Sequence, residues 1–302
     1  MSTTIEWTDE TWNCVTGCTK VSAGCAHCYA ETFAHRQMGQ WKGRVFGDVR
    51  CHPDRLQVPL HWRAPRRVFV NSMSDLFHEA VPELFLDDVF AVMALAYKHT
   101  FQLLTKRPGR MRKYLSARVG PRVIGRAWEM LGHKPLDKYE HGGITNRPWP
   151  LPNVWCGVSV EDQATANERI PLLLQTPAAI RFVSAEPLLG PIDLNTIDTT
   201  SDTDPGYSAL ELRDDDEGDL VETLDWVIVG GESGPKARPC HVAWIQSLIG
   251  QCQNAQVPVF VKQLGADPRW TGADSPPIAP ARGKCGDPAE WPEDLRVREF
   301  PR

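Results

Sequence analysis

The sequence has no apolar run of transmembrane length, and its start, MSTTIEWTDE, lacks the basic and apolar parts of a signal peptide. It has no excess of positive charge either. Its formal net charge of −5 argues against indiscriminate binding to nucleic acid but leaves room for a local basic groove. No G-x-G-x-x-G motif follows the first predicted strand, which disfavours a Rossmann domain. We therefore expect a cytoplasmic globular protein with no membrane partner.

The cysteines that the sequence does have are unevenly placed, since four of the nine fall within fifteen residues. They are Cys14, Cys18, Cys25 and Cys28, and the last three form a C-x6-C-x2-C pattern followed directly by Tyr29. Disulfides belong to oxidising compartments and small secreted domains, and the sequence points to neither. The bunching therefore indicates a metal ion or an iron–sulfur cluster held by thiolates.

Two kinds of metal site remain open at this point. A structural zinc ion would take four ligands, for which Cys14 and Cys18 could form one pair and Cys25 and Cys28 the other. A 4Fe–4S cluster held by only three thiolates would leave one iron free to bind another molecule. That second arrangement is the one in radical S-adenosylmethionine (SAM) enzymes, although their usual C-x3-C-x2-C motif has a shorter first gap than the one here.

Six short apolar or β-branched runs bounded by turn residues predict buried strands. They are 67–71 (RVFVN), 101–104 (FQLL), 154–158 (VWCGV), 180–184 (IRFVS), 226–229 (WVIV) and 257–261 (VPVFV). Helical spacing of apolar residues occurs between several of them, at 85–97, 162–174 and 242–252. Alternating strands and helices predict an α/β fold with a parallel sheet of about six strands.

Polar and charged residues follow each of the six predicted strands. Such residues at the carboxyl ends of parallel strands are typical of the active-site face of a β/α barrel, so we favour a full or partial barrel over an open sheet. The candidates for cofactor binding are Ser72, Ser74, Asp75, Ser159, Glu161, Asp162, Glu186 and Glu232. Asp162 fits the N-cap of the next helix equally well. Lys106 and Arg107 follow the second strand and begin a basic run that could meet a substrate phosphate or carboxylate.

The predicted barrel spans residues 1–265, with insertions near 120–152 and 194–224. The first insertion is rich in Gly, Pro, Lys and Arg, which predicts a loop or a small helical insertion. The second is acidic and low in apolar residues, so we expect a mobile excursion. Residues 266–302 form a proline-rich C-terminal extension with enough apolar residues to pack back on the barrel.

Much of the chain resembles a phage- and prophage-associated family of three-cysteine proteins related to the radical SAM superfamily. The resemblance begins with IEWTDETWNCVTGCTKVSAGCAHCYAE and continues through NSMSDLFHE, LLTKRPGRM, NVWCGVSVEDQ, FVSAEPLLGPI, WVIVGGESGP, VFVKQLG and DPAEWPEDLRVREFP. It implies a radical-SAM-like partial barrel with a cluster loop near the N-terminus, and Cys18, Cys25 and Cys28 as cluster ligands. Cys14 replaces a proline expected in similar sequences, which weakens the four-cysteine zinc interpretation. The cluster loop is similar in style to that of spore photoproduct lyase.

The resemblance also implies SAM as a second cofactor and radical chemistry on a substrate. The methionyl amine of SAM would meet the polar residues after the first strand, and the ribose of SAM would meet the polar residues after the third strand. Tyr29 would pack over the cluster or near the adenine. The implied partners are an electron donor such as flavodoxin or ferredoxin, and DNA, RNA or a nucleotide as substrate. The alternative is a non-catalytic binding module with a structural zinc or iron–sulfur site.

Overall fold

The computed structural model of the chain describes residues 3–132, 147–198, 206–211, 213–214, 220–270 and 283–301. Its main sheet has seven strands, β1 to β7, which pair in chain order. Their bounds are Glu10–Trp12 (β1), Arg67–Val70 (β2), Thr100–Thr105 (β3), Val154–Ser159 (β4), Ile180–Ala185 (β5), Trp226–Gly230 (β6) and Val259–Gln263 (β7). The pairs β1–β2, β2–β3, β5–β6 and β6–β7 are parallel.

The helices lie between these strands. The α-helices are Tyr29–His35 (α1), Glu83–Leu95 (α2), Pro108–Ser116 (α3), Gly120–Met130 (α4), Gln163–Leu174 (α5) and Val242–Asn254 (α6). Short 3-10 helices occur at Ala23–Cys25, Gly39–Trp41, Pro53–Arg55, Val58–His61, Pro288–Glu290 and Glu293–Leu295. Two-residue strands pair Val15–Thr16 with Arg50–Cys51, Arg213–Asp214 with Leu220–Val221, and Cys240–His241 with Pro268–Arg269.

The α/β class and the parallel sheet are confirmed, and the sheet is compatible with a partial β/α barrel. All six predicted strands are present within two residues of their predicted bounds, and the sheet has one strand more. That extra strand, β1, was not predicted because it has only three residues and begins with a charged one, Glu10. Its partner β2 supplies the apolar residues, with Glu10 opposite Val68 and Trp12 opposite Val70.

The chain divides into two compact units. The first comprises Met1–Lys20, Ala30–Cys156 and Thr176–Ala179. Its core is rich in aromatic rings, and Trp12 and Phe101 pack with ring centroids 5.8 Å apart. Asp87 on the buried helix α2 accepts hydrogen bonds from the Tyr114 hydroxyl at 2.8 Å and from Arg122 at 3.1 Å. Because a buried charge is costly without partners, these two groups allow α2 to carry a carboxylate into the core.

The second unit comprises Val21–Tyr29, Gly157–Gln175 and Ile180–Arg302. Trp226 on β6 is fully buried, and its ring lies 5.6 Å from the Phe182 ring and 5.3 Å from the Phe300 ring. The indole N–H of Trp226 donates to the carbonyl of Glu299 at 2.8 Å. The described end of the chain therefore closes the core of this unit.

The segments singled out as insertions are only partly described. In 120–152 the first eleven residues form α4, and residues 133–146 lie outside the described part of the chain. In 194–224, Leu194 and Ile197 are fully buried, while residues 199–205, 212 and 215–219 lie outside it. Of the C-terminal extension, 271–282 and 302 also lie outside. None of the helices described is both long and apolar enough to cross a membrane.

Candidate metal and cofactor site

The nine cysteines are all thiols, with none in a disulfide, and they fall into two classes by exposure. Cys18, Cys25, Cys28 and Cys51 are partly exposed, whereas Cys14, Cys156, Cys240, Cys252 and Cys285 are buried. Burial raises the pKa of Cys14, whose sulfur lies 3.6 Å from Asn71 Oδ1, and it raises the pKa of Cys240 and of Cys252 to about 12. Because the thiolate is the ligating form, these buried thiols are poor metal ligands. The C-x6-C-x2-C cysteines remain accessible.

Backbone contacts within the first unit fix the chain just before Cys18. The Gly17 N–H donates to the Met73 carbonyl at 3.1 Å, and the Cys18 N–H donates to the Phe46 carbonyl at 3.0 Å. Gly17 has a φ of +94°, and a Cβ atom placed on it would lie 2.4 Å from the carbonyl oxygen of Asp48. Both the conformation and the space therefore require glycine at this position.

Arg107 joins the end of β3 to the same stretch of chain. Its Nη1 lies 3.5 Å from the sulfur of Cys18 and 3.2 Å from Asp75 Oδ2. Its Nη2 donates to the carbonyl of Thr19 at 3.1 Å, and its Nε donates to Glu79 at 3.0 Å. Burial works against the guanidinium charge, but Asp75, Cys18 and Glu79 outweigh it and raise the pKa of Arg107. The Arg107 charge is thus already neutralised by carboxylates, and it faces the first cysteine of the motif.

The polar group after β2 is bound largely to protein. Asp75 accepts from the Thr105 hydroxyl at 2.7 Å and from the Lys106 N–H at 3.1 Å, so it connects the ends of β2 and β3. The Ser72 hydroxyl donates to Asn13 Oδ1 at 3.2 Å, and the Ser74 hydroxyl donates to the Val15 carbonyl at 2.9 Å. These residues lie together after β2, and each has a protein partner that a cofactor would share or replace, so their role at a SAM amine stays a prediction.

In the second unit, Glu161 contacts the chain just before Cys25. Its side chain is fully buried, and its Oε1 accepts from the Ser22 hydroxyl at 3.1 Å. Its charge is balanced by Arg169 on α5, whose Nη1 lies 3.2 Å from Oε2 and also donates to the Ser159 carbonyl at 2.8 Å. A Cβ atom on Gly24 would lie 2.3 Å from Glu161 Oε1. The second glycine of the motif therefore leaves room for this carboxylate.

Glu232, after β6, contacts the same segment from another strand end. Its Oε2 lies 3.0 Å from His27 Nδ1, and Arg238 binds both carboxylate oxygens, with Nε at 3.0 Å from Oε2 and Nη2 at 2.5 Å from Oε1. Burial opposes the ionisation of Glu232, but the hydrogen bonds from Arg238 and His27 outweigh it and lower its pKa to about 2. Arg238 Nη1 donates to the Ala23 carbonyl at 2.9 Å.

The remaining candidates are Asp162, Glu186 and Tyr29. Asp162 is the N-cap of α5 and forms a capping box with Thr165, which confirms the structural interpretation and leaves its role at a ribose a prediction. Glu186, after β5, accepts from Lys262 Nζ at 2.6 Å and 2.8 Å, and this pair is partly exposed. Tyr29 begins α1 and is half exposed.

Arg169 and Arg238 were missed by the sequence analysis. Arg169 lies eight residues after Glu161, about two helical turns along, which is a usable signal once α5 is assigned. Arg238 lies in an irregular segment after Glu232, where no periodicity predicts the pair. Cys, His, Asp and Glu side chains do not form a group of three or more arranged to hold a metal ion anywhere in the described ranges. The donor chemistry nevertheless fits a metal, since Cys18, Cys25 and Cys28 are partly exposed thiols and Cys18 lies beside the Arg107 guanidinium.

A sequence profile for a family described as "Protein of unknown function (DUF5131)" matches residues 2–283. A search of the curated proteins found no match, and a search of the solved structures also found none.

Proposed function

The chain belongs to the family described as a protein of unknown function, DUF5131, and we propose from its own residues that it is an iron–sulfur protein of the radical SAM type. Cys18, Cys25 and Cys28 would hold a 4Fe–4S cluster. One observation carries the proposal: these three cysteines, at C-x6-C-x2-C spacing, are partly exposed thiols, while the neighbouring Cys14 is buried. Three thiolates on a four-iron cluster leave one iron open.

Arg107 supports the proposal from the first unit. A cation beside a cysteine favours the thiolate, which is the form that binds a metal. With Nη1 3.5 Å from the Cys18 sulfur, Arg107 would hold that thiolate and tune the bound cluster through the hydrogen bond.

SAM would bind the open iron of the cluster and supply radical chemistry by reductive cleavage. Among this chain's own residues, Ser72, Ser74 and Asp75 would meet its amine, with Ser159, Glu161 and Asp162 near the ribose. Of Glu186 and Glu232, Glu186 is the more available to a bound ligand, because it and its partner Lys262 are partly exposed. The predicted substrate contact then falls to the partly exposed Lys106, which would meet a nucleic acid or nucleotide in the cytoplasm, because Arg107 is buried and already bound to carboxylates. A flavodoxin or ferredoxin would supply the electron.

The deciding experiment is anaerobic reconstitution with iron and sulfide, followed by dithionite and SAM. We expect a brown protein with about four iron and four sulfide per chain, and 5′-deoxyadenosine as a product. Cys18→Ala, Cys25→Ala and Cys28→Ala should each abolish the colour, while Cys14→Ala, the matched control, should keep it. Stoichiometric zinc without sulfide would instead identify a structural metal module and overturn the proposal.

A further inference from the structure

The Val21–Tyr29 segment, which carries Cys25 and Cys28, belongs to the second unit and is held there at both of its sides by carboxylates from strand ends. Glu161, after β4, meets it at Ser22 and Gly24. Glu232, after β6, meets it at His27. Only one α-helical residue lies in this segment, so its shape depends on such contacts.

Arg238 adds a second point of attachment on the Glu232 side. Its guanidinium uses Nε and Nη2 on Glu232 and keeps Nη1 for the Ala23 carbonyl, 2.9 Å away. The planar guanidinium has its donors in fixed directions, so binding Glu232 in a forked manner also aims the third nitrogen. One side chain therefore fixes the backbone two residues before Cys25.

Most of the acceptor capacity of Glu232 is taken by these contacts, three of which are to Oε2 and one to Oε1. A carboxylate has about four lone-pair positions. Glu232 receives four donors: His27 Nδ1 and the backbone N–H, Nε and Nη2 of Arg238. Its side chain is also only 4% exposed. It is therefore a poor partner for a ribose hydroxyl or a substrate, in contrast to the more exposed Glu186.

We infer that Glu232 and Arg238 are positioning residues that preset the geometry of the Cys25–Cys28 end of the cysteine motif. This inference rests on the proposed function in one respect, namely that the two cysteines are ligands. Glu232 holds the side chain of His27, which lies between the two cysteines in sequence. Arg238 holds the backbone carbonyl of Ala23, which precedes Cys25.

The test is hydrogen exchange of peptides covering Val21–Tyr29 in the full-length, metal-free chain. Glu232→Gln keeps the shape of the side chain and removes its charge, and Arg238→Ala removes the forked contact. Both should speed exchange of this segment roughly tenfold, since charge-assisted hydrogen bonds are lost. Arg238→Lys keeps the charge without the fork and should give partial rescue.

The matched control is Asp225→Asn. Asp225 is a carboxylate of the same unit that caps the opposite, amino-terminal end of the neighbouring strands, where it accepts from the Arg181 N–H at 2.7 Å. We expect Asp225→Asn to leave exchange of Val21–Tyr29 unchanged. Equal exchange in wild type, Glu232→Gln and Arg238→Ala would overturn the inference.

A second readout is the electron paramagnetic resonance spectrum and reduction potential of the reconstituted protein. Glu232→Gln and Arg238→Ala should shift both, and Asp225→Asn should shift neither. If the wild-type chain binds no cluster, the proposed function fails, yet the exchange experiment on the metal-free chain still decides whether the pair positions the segment.

Discussion

The two parts of the cysteine motif are fixed in different ways. Residues 17–20 are held in the first unit by backbone hydrogen bonds and by a glycine for which no other residue has room. Val21–Tyr29 is held in the second unit by buried side chains, chiefly Glu161 and Glu232. The first part thus depends on chain geometry, and the second on charge.

One device is nevertheless common to both parts. In each, an arginine neutralised by a strand-end carboxylate donates to a loop carbonyl. Arg107 with Asp75 does so at Thr19, and Arg238 with Glu232 does so at Ala23. An arginine suits this task because its fork binds a carboxylate while a further nitrogen stays available. The comparison predicts that the two parts respond differently to a change of space and similarly to the loss of a carboxylate charge.

The largest effect is expected at Gly17. Gly17→Ala combines a positive φ with overlap against the Asp48 carbonyl, so we expect the free energy of unfolding to fall by about 3–4 kcal/mol. Gly47→Ala is the control, because a Cβ atom on Gly47 meets nothing within 4 Å. Urea unfolding curves of the two variants measure the difference. Similar midpoints would show that residues 17–20 are not fixed by the space around their backbone.

Removing the charge that holds Arg107 is the next test. Asp75→Asn leaves a buried guanidinium with Glu79, which is largely exposed, as its remaining carboxylate. We expect a loss of about 3 kcal/mol in the free energy of unfolding. The rate at which Cys18 is alkylated, measured by mass spectrometry, should also change. The control, Asp88→Asn, breaks the more exposed pair with Arg126 and should cost less than about 1 kcal/mol.

Acid should weaken the second part of the motif through Glu232. Its pKa lies at about 2, below the ordinary value of 4.5, so its contribution is present above pH 4.5 and is lost as the pH falls from there towards 2. A pKa lowered from 4.5 to about 2 corresponds to about 3 kcal/mol of stability. Glu232→Gln should therefore be less stable than wild type near pH 7, and the difference should vanish near pH 2. A constant difference across this range in urea unfolding would contradict the role given to the charge.

The sequence predicted most of the strands well, because β-branched and apolar runs indicate buried strands when the runs are long enough. β1 was not predicted, because it has only three residues and its burial depends on pairing with β2. The charged residues at strand ends were also predictable, since they follow the runs directly. The partners of these charged residues were not predictable. Whether Glu232 binds Arg238 or a ligand depends on the conformation of an irregular loop. The sequence fitted Asp162 both to an N-cap and to a ribose contact; the capping box confirms the first, and the second stays a prediction.

The smallest effect is expected at Gly24, where the obstacle is a side chain and not backbone. A Cβ atom there would lie 2.3 Å from Glu161 Oε1. The carboxylate can move away only by straining its hydrogen bond with Arg169. We expect Gly24→Ala to cost about 1–2 kcal/mol in wild type and close to nothing in a Glu161→Ala background, since the overlap is then gone. This double-mutant cycle isolates the contact even though Glu161→Ala is itself destabilising. Gly250→Ala on α6, where a Cβ atom meets nothing within 4 Å, is the control and should raise stability by roughly 0.5–1 kcal/mol in both backgrounds. An equal cost of Gly24→Ala in the two backgrounds would mean that backbone, and not Glu161, limits the space at Gly24, and the contrast with Gly17 would then disappear.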